Sequence, residues 1–189
     1  MYDIENYYNA ETIKEAVTLL KEHPDARVIS GGSDVLIKIR EGKMAGTSLV
    51  SIRDIKEIKG IRLMDSGDIY IGAGTTFSHV TNDPVIQKLI PVLGEAVDQV
   101  GGPQVRNIGT IGGNVCNGAV SADSAPTLFS LNAMLRIADG ISGIDFFPYQ
   151  LFHLLVKLLA NFHAPQRLFR LLTPIRHGCS YTKGDPYIL

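Results

Sequence analysis

Apolar residues recur along the chain with two different periods, and the period decides which element each stretch predicts. Between Tyr7 and Pro24, Ile13, Ala16, Val17 and Leu20 stand at i, i+3, i+4 and i+7, the single stripe of a helix lying on a core. Asn9 is read as its cap and Pro24 as its stop. Arg27-Val28-Ile29-Ser30 predicts a short strand running into Gly31-Gly32-Ser33-Asp34, and Val35 to Arg40 follows as a short helix or strand. Leu49 to Ile52 predicts another strand, after which Ile55, Ile58 and Ile61 carry an apolar rhythm through a charged connection. Asp68 to Thr76 alternates as a half-buried strand does. Asn82-Asp83-Pro84 marks a turn with a helix starting beyond it, and Pro91 to Val100 predicts an apolar-faced helix ended by Gly101-Gly102-Pro103. Ala125 to Leu131 reads as a helix, with Met134 to Ala138 as the strand packed behind it.

The pattern changes near residue 140. From Gly140 to Leu189 there is no glutamate, and five of the seven phenylalanines and three of the five histidines of the chain lie there. Leu151 to Leu172 could form a helix pair around Pro165, but its apolar residues surround each helix instead of making one stripe. Two readings stand: a hydrophobic docking tail, or a segment not selected for folding, such as one translated out of frame.

Composition narrows the chemistry. The 189 residues carry a net charge of −1, which argues against a nucleic-acid surface. No stretch reaches the ~20 apolar residues of a membrane helix, and Met1 to Ala10 is polar, so the expected compartment is the cytoplasm. Cys116 and Cys179 are too few for an iron–sulfur or paired-cysteine zinc centre on this chain. His23 and His79 read as surface residues, since no second ligand stands at metal spacing. No nucleophile, general acid or general base forms a constellation.

The chemistry that does stand out is a run of glycine, amide and hydroxyl from Val105 to Pro126. It begins with Arg106 and includes Thr110-Ile111-Gly112-Gly113-Asn114, Asn117 and Asp123. Glycines admit close backbone approach, consecutive N–H groups can form an anion nest, and the side chains supply directional hydrogen bonds; an ordinary tight turn is the competing reading. Gly31-Gly32 after a strand is a second, weaker nest candidate. Gly72-x-Gly74-x-x-Phe77 fails as a dinucleotide fingerprint because its third glycine is a phenylalanine.

Two motifs in this order, about 80 residues apart, carry a resemblance. Val28-Ile29-Ser30-Gly31-Gly32-Ser33-Asp34-Val35-Leu36, together with Gln104-Val105-Arg106-Asn107 through Thr110-Ile111-Gly112-Gly113-Asn114 to Ser121-Ala122-Asp123-Ser124-Ala125, resembles the flavin-binding medium subunits of molybdenum hydroxylases. Within that group the chain is most similar to bacterial xanthine dehydrogenase FAD-binding subunits, over residues 1 to about 139.

The resemblance implies a two-lobed α+β FAD-binding fold of the p-cresol methylhydroxylase type, with its second lobe incomplete. The divisions it implies are an N-terminal lobe over 1–55, a second lobe over 56–139 and a divergent tail over 140–189. It implies FAD on this chain, held by Arg27, Val28, Ile29, Ser30, Gly31, Gly32, Ser33 and Asp34 from the first lobe. Thr110, Ile111, Gly112, Gly113, Asn114, Asn117 and Asp123 would hold it from the second. Backbone N–H groups of Val28 to Asp34 and of Thr110 to Asn114 would face the diphosphate. Asn117 would reach ribityl or phosphate oxygens, and Asp123 a sugar or ribityl hydroxyl. It further implies a molybdenum-cofactor large subunit and a 2Fe-2S small subunit as partners, with electrons passing through FAD to NAD+. The alternative is a truncated remnant or assembly module that docks to those partners without functional flavin.

Overall fold

The computed structural model describes residues 2–118, 122–138, 144–148 and 169–170. Of the predicted helix pair Leu151 to Leu172 around Pro165, only Phe169–Arg170 are described, and they form strand because they pair with Arg136 and Ile137; Cys179 lies outside the described residues. The first lobe is a three-stranded parallel sheet of β1 (Ile4–Asn9), β2 (Arg27–Ile29) and β3 (Thr47–Ser51), in the order β1-β3-β2. Helix α1 (Ile13–Glu22) joins β1 to β2, and α2 (Val35–Arg40) joins β2 to β3. The chain moves outward across the sheet and then back, so right-handed crossovers place the two helices on opposite faces. Successive residues of β3 show it: Val50 packs in the cluster that holds Ala16, while Leu49 packs with Ile39. Both residues are fully buried, as a sheet covered on both faces requires.

Two local expectations are corrected here. Tyr7 to Asn9 belong to β1, and the cap of α1 is Thr12, whose hydroxyl accepts from the Glu15 N–H at 3.1 Å. Glu15 reaches back to the Glu11 N–H at 2.9 Å, so the Thr-x-x-Glu spacing does the capping instead of Asn9. The segment after β2, open between helix and strand, is helix α2.

The second lobe begins with the 3₁₀ turn Lys56–Ile58 and the antiparallel hairpin of β4 (Ile61–Leu63) and β5 (Ile69–Ile71). All three residues of β5 are buried, so the expected alternation gives way to a strand covered on both sides. Helices α3 (Phe77–Asn82), α4 (Pro84–Leu89), α5 (Pro91–Asp98) and α6 (Pro103–Ile108) follow. Three of these four open on proline at the first turn, where its missing N–H costs nothing. The sequence reading has a turn at 82–84 and helix at 91–100 but misses α3 and α6, each too short for periodicity to show. Then come α7 (Ile111–Asn117), α8 (Ser124–Ser130) and β6 (Met134–Ala138). Strand β6 pairs antiparallel with β7 (Ile144–Pro148) and β8 (Phe169–Arg170). One cluster unites the lobe, with Ile71, Phe77, Leu93, Val97, Ile111, Leu128 and Leu135 among its buried members.

The lobes meet at two places, the first through the turn at Ile58. Within the second lobe that turn is fixed by Gly74 N–H donating to Ile58 O at 2.7 Å and Gly72 N–H to Gly60 O at 2.9 Å. The buried Thr75 hydroxyl accepts from Gly60 N–H and donates to Gly60 O. Ile58 itself packs in a first-lobe core cluster, so this turn is continuous with that core. The second contact is Gly31 of the first lobe against the Ile108 carbonyl of the second. A Cβ on Gly31 would overlap that oxygen.

Three substitutions test this construction by urea unfolding. Thr12→Ala is expected to cost about 1 kcal/mol through lost capping. Ile71→Ala, at the centre of the second-lobe core, should cost roughly 3 kcal/mol. Gly31→Ala, which forces the lobes apart, should cost about 1–3 kcal/mol although it adds only a methyl group.

Candidate functional site

The two glycine motifs, far apart in sequence, meet in space. Strand β2 delivers Ser30 to Asp34 at the carboxyl end of the parallel sheet, where open α/β sheets place their ligand crevices. The Gly31–Ile108 contact sets this loop directly beside the entry to the second motif. Arg27, Val28 and Ile29 lie in β2 itself, and Ser30 to Asp34 form the half-buried loop before α2. Gly32 has φ +75°, a conformation glycine adopts at little cost.

The backbone hydrogen bonds distinguish the two motifs. Among the described residues, the N–H groups of Gly31, Gly32, Ser33, Asp34 and Val35 have no intramolecular acceptor; Leu36, which bonds Gly32 O, is the first to have one. A helix start leaves its first donors open, which accounts for Asp34 and Val35 but not for Gly31, Gly32 and Ser33 before them. A half-buried run of open donors is costly unless something external accepts from them. In the second motif the corresponding groups are taken. Ile111 N–H donates to Thr75 O, Gly112 to Ala73 O, Gly113 to the Thr110 hydroxyl and Asn114 to Thr110 O. Thr110 caps α7 and Gly118, at φ +61°, ends it. The glycines here serve close packing: a Cβ on Gly112 would stand 2.6 Å from the Ala73 Cβ.

What the second motif offers is side chains. Asn114 Oδ1 accepts from the Ser124 hydroxyl at 2.5 Å, tying α7 to α8 and leaving its amide N–H₂. Asn117, at the end of α7, accepts from Lys38 Nζ at 2.9 Å, and Lys38 also reaches Asp34 Oδ2 at 3.3 Å. Asp123 stands exposed before α8, its carboxylate without a hydrogen bond among the described residues. Arg106 is not part of the site. Its guanidinium donates to the carbonyls of Val100 and Gly101 and pairs with Asp98 at 3.2 Å, closing the end of α5.

Between the lobes lies a cavity of about 220 Å³ lined by Ser30, Gly31, Thr75, Thr110 and residues the sequence reading did not assign to the site: Arg53, Lys59, Thr76, His79 and Asn107. Arg53 follows the buried end of β3, a position the strand pattern could have flagged. Lys59 carries no local signal, since only the turn held by Gly72 and Gly74 brings it there. His79 is half exposed with Asp83 at 3.6 Å, a surface residue as expected. Gly72 and Gly74, the failed fingerprint, pack against Ile58 and the turn after it. No cluster of His, Cys, Asp and Glu suited to a metal occurs among the described residues.

Comparison with known proteins agrees with this geometry. Residues 2–157 match the family model described as the FAD binding domain in molybdopterin dehydrogenase, a match that continues past residue 139. The xanthine dehydrogenase FAD-binding subunit of Escherichia coli O157:H7 is 39% identical over 153 residues, 81% of this chain and 52% of that one. The nicotinate dehydrogenase FAD-subunit of Eubacterium barkeri is 36% identical over 135 residues, 70% of this chain and 45% of that one. A carbon monoxide dehydrogenase from Hydrogenophaga pseudoflava superposes with TM-score 0.80 at 26% identity, covering 93% of this chain and 61% of that one. The chain thus spans about half the length of the curated relatives it matches. Two glycine motifs meeting across a seam of α+β lobes, and a family match over most of the chain, lead to one conclusion: this protein belongs to the FAD-binding domain family of the molybdopterin dehydrogenases.

Proposed function

We propose that the chain binds FAD between its lobes as the electron-transfer subunit of a molybdenum hydroxylase of the xanthine dehydrogenase type. The observation that supports this best is the run of open N–H groups from Gly31 to Val35 in a half-buried loop, a donor set suited to diphosphate oxygens. The residues present fit the cofactor in a particular way. The first motif holds the diphosphate by backbone donors. The second contributes the side chains of Asn114, Asn117 and Asp123 for the sugar and ribityl oxygens. Arg53 and Lys59 at the cavity rim favour the anionic end of a dinucleotide.

The flavin, when bound, supplies the redox chemistry, and the protein supplies its position and electrostatic surroundings. This reading extends to a molybdenum-cofactor large subunit and a 2Fe-2S small subunit as partners, with NAD+ as the electron acceptor. The chain's own residues bind and orient; none is required to move a proton.

Purified chain is expected to be yellow, or to acquire a flavin absorption band on titration with FAD. Colourless protein that refuses FAD yet co-purifies with a large subunit would favour the assembly-module reading instead. Gly32→Ala, which strains a residue at φ +75°, should weaken FAD binding about tenfold, with far-ultraviolet circular dichroism unchanged.

A further inference from the structure

Lys38 does something neither motif accounts for. It stands one turn into α2, below the loop of open donors, and touches a functional residue of each lobe: Asp34 Oδ2 at 3.3 Å and Asn117 Oδ1 at 2.9 Å. A carboxylate at the edge of an anion site is an electrostatic contradiction. Asp34 adjoins the donors that would receive a diphosphate, and its negative charge opposes that ligand. Nor does Asp34 serve its own helix, since its side chain makes no capping bond at α2. Its partner is Lys38, at the i,i+4 spacing with the acid toward the amino end, the favourable order for such a pair.

The second contact has a directional effect. An ammonium has donors only, so it selects the carbonyl oxygen of the Asn117 amide and leaves the Nδ2 hydrogens for another acceptor. The same cation therefore cancels a charge in the first lobe and orients a donor in the second. Both groups lie beside the place where the ligand's oxygens would sit.

We propose that Lys38 is the residue that sets the charge of the diphosphate site, neutralising Asp34 and turning the Asn117 amide so that its donors face outward from the ammonium. The proposal deepens the FAD reading and rests on it for the identity of the ligand. It assigns Lys38 a positioning role without requiring that its ammonium touch the phosphates. Removing the cation leaves Asp34 uncompensated and Asn117 free to rotate. Removing Asp34 as well takes away the repulsion.

The test is a double-mutant cycle on the full chain, using fluorescence titration with FAD and with riboflavin, and calorimetric titration with inorganic pyrophosphate. Lys38→Met should weaken FAD and pyrophosphate roughly two- to fivefold, more at low salt than at high salt, and leave riboflavin unchanged. Lys38→Arg should restore most of the affinity, and Lys38→Met combined with Asp34→Asn should recover at least half of the logarithmic loss. A merely structural Lys38 would lower the affinities of FAD and riboflavin alike, with no recovery in the double variant, and that result overturns the proposal. So does a Lys38→Met protein that binds FAD and pyrophosphate as the parent does; the FAD reading then stands alone. A parent chain that binds pyrophosphate but not FAD, with the Lys38 pattern intact, overturns the FAD reading and keeps this one. Binding of neither overturns both.

Discussion

The structure depends on one close approach, the backbone of Gly31 against the carbonyl of Ile108. A loop at the carboxyl end of a parallel sheet and the entry to a helix in another lobe come within contact only because no side chain separates them. That contact brings Ser30 and Thr110 to one cavity and accompanies the reach of Lys38 across to Asn117. The packing of the two lobes there depends on a missing methyl group. Glycine's usual role, conformational freedom, applies to its neighbour Gly32 and not to Gly31, whose value is its volume.

The two motifs divide the work by chemistry. In the first, backbone donors are left open and the glycines sit beside them. In the second, every N–H from Ile111 to Asn114 is already bonded within the protein, and the glycines let α7 press against Ala73. A shared glycine-pair signature hides this difference. The distinction bears on the expectation that both motifs donate N–H groups to a diphosphate: the bonding pattern favours the first motif for that task and the side chains of the second for the rest.

How much was legible in the sequence follows from which interactions are local. The stripe of α1 was readable because one face packs on a core and repeats at a fixed period, and the strands β2, β3 and β6 because they are short apolar runs between turn residues. Helices α3 and α6 were not, since six residues hold too little periodicity and their caps, Thr76 and Gly102, look like loop residues. Asn9 was mistaken for a cap because polar residues suit both strand ends and helix starts; the pairing of Asn9 with Ser51 is non-local. The site was read from its glycines and amides, which form contiguous runs. Lys59 reaches the cavity only through the turn between Ile58 and Gly60, and Lys38 was overlooked because a lysine on a short helix ordinarily marks a solvated face. Arg106 drew notice for its charge, yet its donors close the end of a helix.

The packing of Ile58 on the first-lobe core has a consequence for binding. With the lobes joined both there and at Gly31, a clamshell opening would break packing at both ends. The cleft is consequently held ready before any ligand arrives, and the ordering entropy of aligning two lobes is met during folding, not during association. A ligand entering such a preset cleft loses chiefly its own freedom on binding.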